Sequence, residues 1–150
     1  MKGYIAIAVA SILIFSFISY NVYADTKALK NIKMEIKDVK VERILPDILL
    51  KISIKFVNDE GRKIEGLEGE MEIYILNESV GYFNFSKIDI EKHSFKEVYI
   101  PLTLYYDKIA RSIIEAIKRM DFNIVIKGNI RGKIFFGLIT YSLPVEAKED

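Results

Sequence analysis

The sequence predicts an antiparallel two-sheet β-sandwich of about seven strands, preceded by one N-terminal transmembrane helix. Three observations predict it. Between residues 32 and 145, apolar and polar side chains alternate at period two, with Asn, Asp, Gly and Pro between the runs. Near residues 107–120 the period changes to steps of three and four, the mark of a single amphipathic helix. Residues 4–23, YIAIAVASILIFSFISYNVY, carry no charge, and a helix of that length covers a bilayer hydrocarbon core of ~30 Å. The chain therefore divides into 1–24, an anchor or signal peptide; 25–31, a short polar linker; and 32–150, the sandwich domain.

The apolar run has two readings. As a signal peptide it starts on Lys2, and Val22-Tyr23-Ala24 offers a cleavage site before Asp25. As a retained single-pass anchor it is long enough to span, and Tyr4, Tyr20 and Tyr23 stand at its ends, where amphipathic rings favour the headgroup level. The anchor is the expectation, with the lipid bilayer as partner of residues 4–23. A buried soluble helix is disfavoured, because a small domain cannot cover twenty apolar residues on every side. Lys27, Lys30, Lys33 and Lys37 outnumber Lys2, so a positive-inside count holds the domain in the cytoplasm. The signal-like layout argues for export, and an extracytoplasmic domain is the expectation.

The strands follow in order. Met34, Ile36, Val39 and Val41 alternate with charged residues until Pro46-Asp47. Leu50, Ile52, Ile54 and Phe56 alternate with Lys51, Ser53 and Lys55, and Asn58-Asp59-Glu60-Gly61 turns the chain. Met71, Ile73 and Ile75 form the next strand, Asn77-Glu78-Ser79 the next turn, and Val80 to Ile88 a short return strand. Val98, Ile100, Leu102 and Leu104 follow the polar stretch 91–94; Pro101 cannot donate a ladder hydrogen bond and marks an edge or a bulge. Asp107 is placed to cap the helix whose apolar stripe is Ile109, Ile113, Ile114, Ala116, Ile117 and Met120, the stripe covering an open end of the core. Phe122, Ile124 and Ile126 make a strand, Gly128 to Gly132 a bend, and residues 134–145 the last strand, ending at Pro144.

This order of elements resembles the late-embryogenesis-abundant group 2 family, which includes the water-stress-and-hypersensitive-response domain. The resemblance covers about residues 36–145. It rests on a strand ending in an Asn-led turn (Asn58-Asp59-Glu60), the strand at residues 70–75, a Gly-containing return strand (Val80-Gly81-Tyr82-Phe83), a strand with a central proline (Val98-Tyr99-Ile100-Pro101-Leu102), a helix, and the strand ending at Gly128. Asp59 stands where the family has Pro. The resemblance implies an immunoglobulin-like or fibronectin type III-like sandwich, no catalytic residues, no cofactor and an association with desiccation and stress tolerance.

Composition narrows the partners. With Lys2 set apart, 21 Lys and Arg face 21 Asp and Glu, so no excess of positive charge recommends nucleic acid. The chain has no Cys, which excludes disulfides, thiolate metal sites and Cys nucleophiles. The Lys and Glu bias, without Cys, Gln or Trp, fits a heat-adapted source and equally an AT-rich genome.

Candidate chemistry is sparse. His93 is the single histidine; catalytic triads and two-His metal sites need partners, and the polar stretch around it reads as an exposed turn. Asp59, Glu60, Glu65, Glu68, Glu70 and Glu72 could hold a hard cation, but Arg62 and Lys63 interrupt them and Glu70 and Glu72 alternate as on a solvated strand face. The segment 128–132 lacks the Lys-Ser/Thr and the following helix of a phosphate loop. Asn77-Glu-Ser79 and Asn84-Phe-Ser86 fit the N-glycosylation pattern, as ordinary turn residues also do. No catalytic, cofactor or metal residue and no small-molecule substrate is assigned. The expectation is a non-enzymatic, membrane-tethered, stress-related protective or interaction module, contacting others through polar sheet faces that include Tyr74, Tyr99 and Tyr105. The alternative is a structural envelope component that docks to a surface lattice or filament, with an envelope protein as partner.

Overall fold

The computed structural model describes residues 2–149. The chain runs α1 (Lys2–Lys30), β1 (Lys33–Arg43), β2 (Ile48–Asn58), β3 (Ile64–Ile75), β4 (Glu78–Ile90), β5 (Ser94–Leu104), α2 (Arg111–Lys118), β6 (Ile124–Ile134) and β7 (Ile139–Lys148). The strands form two antiparallel sheets, ordered β1-β2-β5 and β4-β3-β6-β7. The predicted sandwich of seven strands is therefore present.

The period-two pattern decides which face is buried. Ile48, Leu50, Ile52, Ile54 and Phe56 of β2 all point inward, as do Met71, Ile73 and Ile75 of β3 and Ile124, Ile126, Ile130 and Ile134 of β6. Phe56 meets Phe85 of β4 across the core, with ring centroids 5.1 Å apart. Each such side chain contributes about 1.5–3 kcal/mol of burial. Both internal strand prolines lie on edge strands, Pro101 on β5 and Pro144 on β7, the places in a sheet that tolerate a residue without an N–H.

Several boundaries differ from the sequence reading. Residues 25–30, expected as a linker, are the last turns of α1. β3 begins at Ile64, six residues earlier than the run at residues 70–75: Gly66, at φ +60, breaks the alternation with a register shift, and its N–H is taken by Asp89 Oδ1 at 2.9 Å. The next turn is Leu76-Asn77, both left-handed, as a two-residue hairpin requires; Glu78 and Ser79 already pair in β4, which is long. Asp107 does not cap α2. Residues 105–108 form a separate turn (Lys108 N–H to Tyr105 O, 2.9 Å), and the extended Ala110 takes the cap position without a side-chain bond. α2 is consequently two turns long. Ile113, Ala116 and Ile117 close the sandwich end, while Met120 is exposed.

The largest correction concerns Gly128 to Gly132. This segment is not a bend, because β6 runs straight through it and pairs with both β3 and β7. The turn comes later, at residues 135–138, and β7 continues past Pro144 to Lys148. Just past β7, Glu149 donates its N–H to Ile124 O at 2.9 Å; Asp150 lies outside the described residues.

Arg131 ties β6 to its neighbour β3 within the four-stranded sheet. It donates to both oxygens of Glu70 at 2.7 Å and to Glu68 at 3.1 Å. The hydrogen bond from Arg131 holds the Glu70 carboxyl below the usual carboxylate range. A carboxyl lowered in the folded state stabilises above its unfolded value, about 4.3, and that stability is lost as pH falls through the folded value. Arg131→Met should therefore flatten the acid limb of a melting-temperature profile below about pH 4.3 relative to the parent chain. Parallel acid limbs would disprove the linkage.

Candidate functional site

The two ends of the sandwich differ. At one end lie the C-terminal half of α1, the loop 59–63, the turn 91–93 and the β6–β7 turn 135–138; at the other lie the loop 44–47, Leu76-Asn77 and α2. The first end carries the feature the sequence marks most strongly. Over residues 2–20, every side chain of α1 is exposed. It is the one helix among the described residues long and apolar enough to cross a membrane.

From Asn21 onward α1 is built into the domain. Asn21 is buried; its amide donates to Phe17 O at 2.8 Å, and its Oδ1 accepts from Arg62 at 2.7 Å. The same guanidinium donates to Asp25 Oδ1 at 3.0 Å. The other oxygen of Asp25 accepts the Phe135 N–H at 2.8 Å. One carboxylate thus joins three segments distant in sequence: the helix, the loop after β2 and the β6–β7 turn. Further along, Asn31 donates to Glu60 Oε1 at 2.9 Å. Hydrogen bonds that involve a charged partner contribute about 1.5–3 kcal/mol each when shielded, and Asp25 and Arg62 are both half-buried.

Packing completes the joint. Ala28 and Leu29 belong to the sandwich core. Leu29 occupies the space above Gly132: a Cβ there would lie 2.7 Å from Leu29 Cδ1. Gly132 faces inward on β6, on the face where Ile126, Ile130 and Ile134 are buried, and the helix supplies the missing side chain. Gly132→Ala should therefore cost about 1–3 kcal/mol through overpacking, measured as a denaturant midpoint in the full chain. Adding Leu29→Ala should recover part of that loss, a non-additive pair; strictly additive losses would exclude the contact.

A cleft of about 320 Å³ opens beside the joint, lined by Asp25, Arg62, Lys63, Glu65, Lys133 and Phe136. Phe136 stacks on Phe17 of α1, centroids 6.2 Å apart and planes 22° apart.

The sequence candidates do not form one cluster: Glu65 lines this cleft and Glu60 accepts from Asn31 beside it, while the others lie apart. His93 is an exposed turn residue at φ 51, its N–H bonded to Glu60 O. The acidic residues disperse into separate partners: Asp59 pairs with Lys33 at 3.0 Å, Glu68 and Glu70 with Arg131, and Glu72 accepts from Tyr74 at 2.6 Å. No group of three or more His, Asp and Glu side chains comes together as a metal site among the described residues. The hydrogen bond to Glu72 pushes the Tyr74 hydroxyl up to about 12. Tyr99 bonds Glu97 at 3.1 Å, and lysines lie over the rings of Tyr74, Tyr99 and Tyr105 at 4.6, 4.7 and 5.4 Å. Asn77 and Asn84 are both exposed. Sequence reasoning missed Asn21, Asp25 and Arg62. The one signal was Asn21 itself, an amide inside an otherwise apolar run.

No family model matches the chain, and no curated protein matches it. Among solved structures, the chain is similar to a solution structure of an Arabidopsis thaliana protein: 13% identity, TM-score 0.53, covering 77% of this chain and 78% of that one. A candidate late embryogenesis abundant protein solved in solution is 11% identical at TM-score 0.47, over 96% of this chain and 85% of that one. A crystallised protein from Archaeoglobus fulgidus is 16% identical at TM-score 0.33, over 77% and 98%. The first likeness shows the sandwich fold alone.

Proposed function

We propose that the chain is a non-enzymatic, single-pass membrane-tethered β-sandwich, with the domain outside the cytoplasm, acting as a desiccation- or stress-related protective or interaction module. The observation that carries the tether is the buried Asn21, bonded to Arg62 of the domain. A signal peptide is discarded at Ala24 and has no need of a polar contact with the domain it leaves. Cleavage there would also remove Phe17 from Phe136. The stress assignment is supported by the sequence resemblance to the late-embryogenesis-abundant group 2 pattern, whose implied sandwich matches the fold. The reading as a non-enzyme is supported by the isolated His93 and by carboxylates already engaged by Lys, Arg and Tyr.

The native N-terminus tests the tether. A mass that includes Lys2 is expected, whereas a free Asp25 would make the domain a released one. Protease added to intact cells should trim the domain, and full protection would reverse the orientation. Added mass at Asn77 or Asn84 would report a glycosylating compartment.

A second reading, a structural envelope component docked to a surface lattice or filament, is favoured by Ile44, Leu45 and Met120. These are exposed together at the end of the sandwich remote from α1. Protection of a drying-sensitive client by the purified protein alone supports the stress role. A stoichiometric envelope partner in a pull-down supports the structural one.

A further inference from the structure

We propose that the β6–β7 turn, Phe135-Phe136-Gly137-Leu138, is a second membrane element that inserts its apolar tip into the bilayer interface beside α1. This rests on the reading of α1 as a retained span. Phe136 and Leu138 are 69% and 75% exposed, and Ile139 next to them is 45% exposed. Local turn chemistry does not ask for these residues. Phe135, Phe136 and Gly137 have φ of 50, 55 and 79, a left-handed run for which Asn, Asp and Gly are the usual choice. Bulky aromatic residues held there break the local rule, and such departures concentrate where a surface is used.

The position of the turn names the occupant. Phe136 stacks on Phe17, a residue inside the uncharged run. Asn21, with Arg62 and Asp25, lies one helical turn closer to the domain, about 6 Å along the axis. If that polar cluster sits among the headgroups, the tip reaches below it, to the headgroup–acyl boundary where interfacial apolar residues rest, roughly 5–10 Å deep. Asp25 holds the turn to the helix through the Phe135 N–H, so the tip cannot avoid the layer that Phe17 occupies. Lys63, which pairs with Glu91 at 3.4 Å, and Lys133, which stands opposite Glu65 in the β3–β6 register, line the cleft behind the tip. Cationic side chains at that level suit an anionic lipid surface. Two points of contact would fix the tilt of the sandwich over the membrane.

The chain contains no Trp, so one introduced indole is a unique reporter. Phe136→Trp, and Leu138→Trp as a second variant, are placed in the full chain in phosphatidylcholine–phosphatidylglycerol vesicles containing lipids spin-labelled either near the headgroup or near the bilayer centre. Ile12→Trp reports on α1. The expected result is a blue-shifted tip emission, reduced about twofold or more by the shallow label and little by the deep one, with Ile12→Trp quenched most by the deep label. Deep quenching at Ile12→Trp with a water-like, unquenched tip overturns the proposal and leaves the anchor standing. A blue-shifted tip that no lipid label quenches means a protein surface or a second copy covers it, and also overturns the proposal. No quenching at Ile12→Trp removes the anchor and the proposal together.

Discussion

Gly128→Val should leave the chain without a stable sandwich. β6 lies between β3 and β7, and Gly128 sits opposite Met71 in the middle of that pairing. A Cβ at 128 would overlap the Glu70 carbonyl oxygen and lie 2.9 Å from Met71 Cα. Both are backbone atoms, so no rotamer change relieves the contact. The two strands must separate, with loss of ladder bonds that contribute about 1 kcal/mol each and opening of the packed layer around Ile73 and Ile126. A loss of at least about 4 kcal/mol is expected, comparable with the whole stability of a marginal domain. Asn129→Val is the control, because Asn129 is exposed and adjacent; it should stay within about 0.5 kcal/mol. Equal denaturant midpoints for the two variants would mean that close backbone approach is not what Gly128 provides.

Asn58→Asp should be nearly as damaging. Asn58 is fully buried at the end of β2. Its amide donates to the carbonyls of Arg62 at 2.7 Å, Glu91 at 3.2 Å and Ile90 at 3.4 Å, and its Oδ1 accepts the Glu60 N–H at 3.1 Å. One side chain thus pins the loop 59–63 and the turn 91–93 at the α1 end of the sandwich. A carboxylate would turn acceptor oxygens toward three carbonyls and be buried without a cation. The expected cost at neutral pH is about 3–5 kcal/mol, against about 1–3 kcal/mol for Asn58→Ala, which only removes the donors. The sign of the pH dependence follows. Burial raises the folded-state value of the new carboxyl, so its penalty is complete above that value, shrinks as pH falls from there toward the unfolded value, and is gone below the unfolded value. Urea midpoints of Asn58→Asp and the parent chain should converge on acidification. Equal losses for Asp and Ala at neutral pH would show that the donor role is wrong.

These two residues show how far sequence reasoning reached. Asn58 was legible as a turn residue because Asn-Asp-Glu-Gly follows a clean alternating strand, but its burial beneath the 91–93 turn depends on contacts more than thirty residues away. Gly128 and Gly132 are legible as special positions, and local pattern alone makes them a bend. Glycine signals a need for space or for a left-handed backbone, and the sequence does not say which. Here Gly128 admits the backbone of β3 and Gly132 admits Leu29. β3 was half-hidden because the irregularity at Gly66 shifts its alternation, and a period-two search stops where the phase changes. Arg131 joins Glu68 and Glu70 over about sixty residues, a pairing no local pattern contains.

By itself, the sequence determined the parts whose physics is periodic and local. Alternation set the inward faces of β2, of β3 from Met71 onward and of β6 up to Ile126, the three- and four-residue steps set α2, and the uncharged run set a helix able to cross a bilayer. Burial of an apolar stripe has a fixed period, so it is written along the chain. Only the tertiary structure decided how the helix meets the domain. It extended α1 through the expected linker, put Leu29 over Gly132, and gathered Asn21, Asp25, Arg62 and the Phe135 N–H into one joint. Those groups come from three segments, and what they bond is fixed by the approach of folded surfaces, for which a linear pattern has no period.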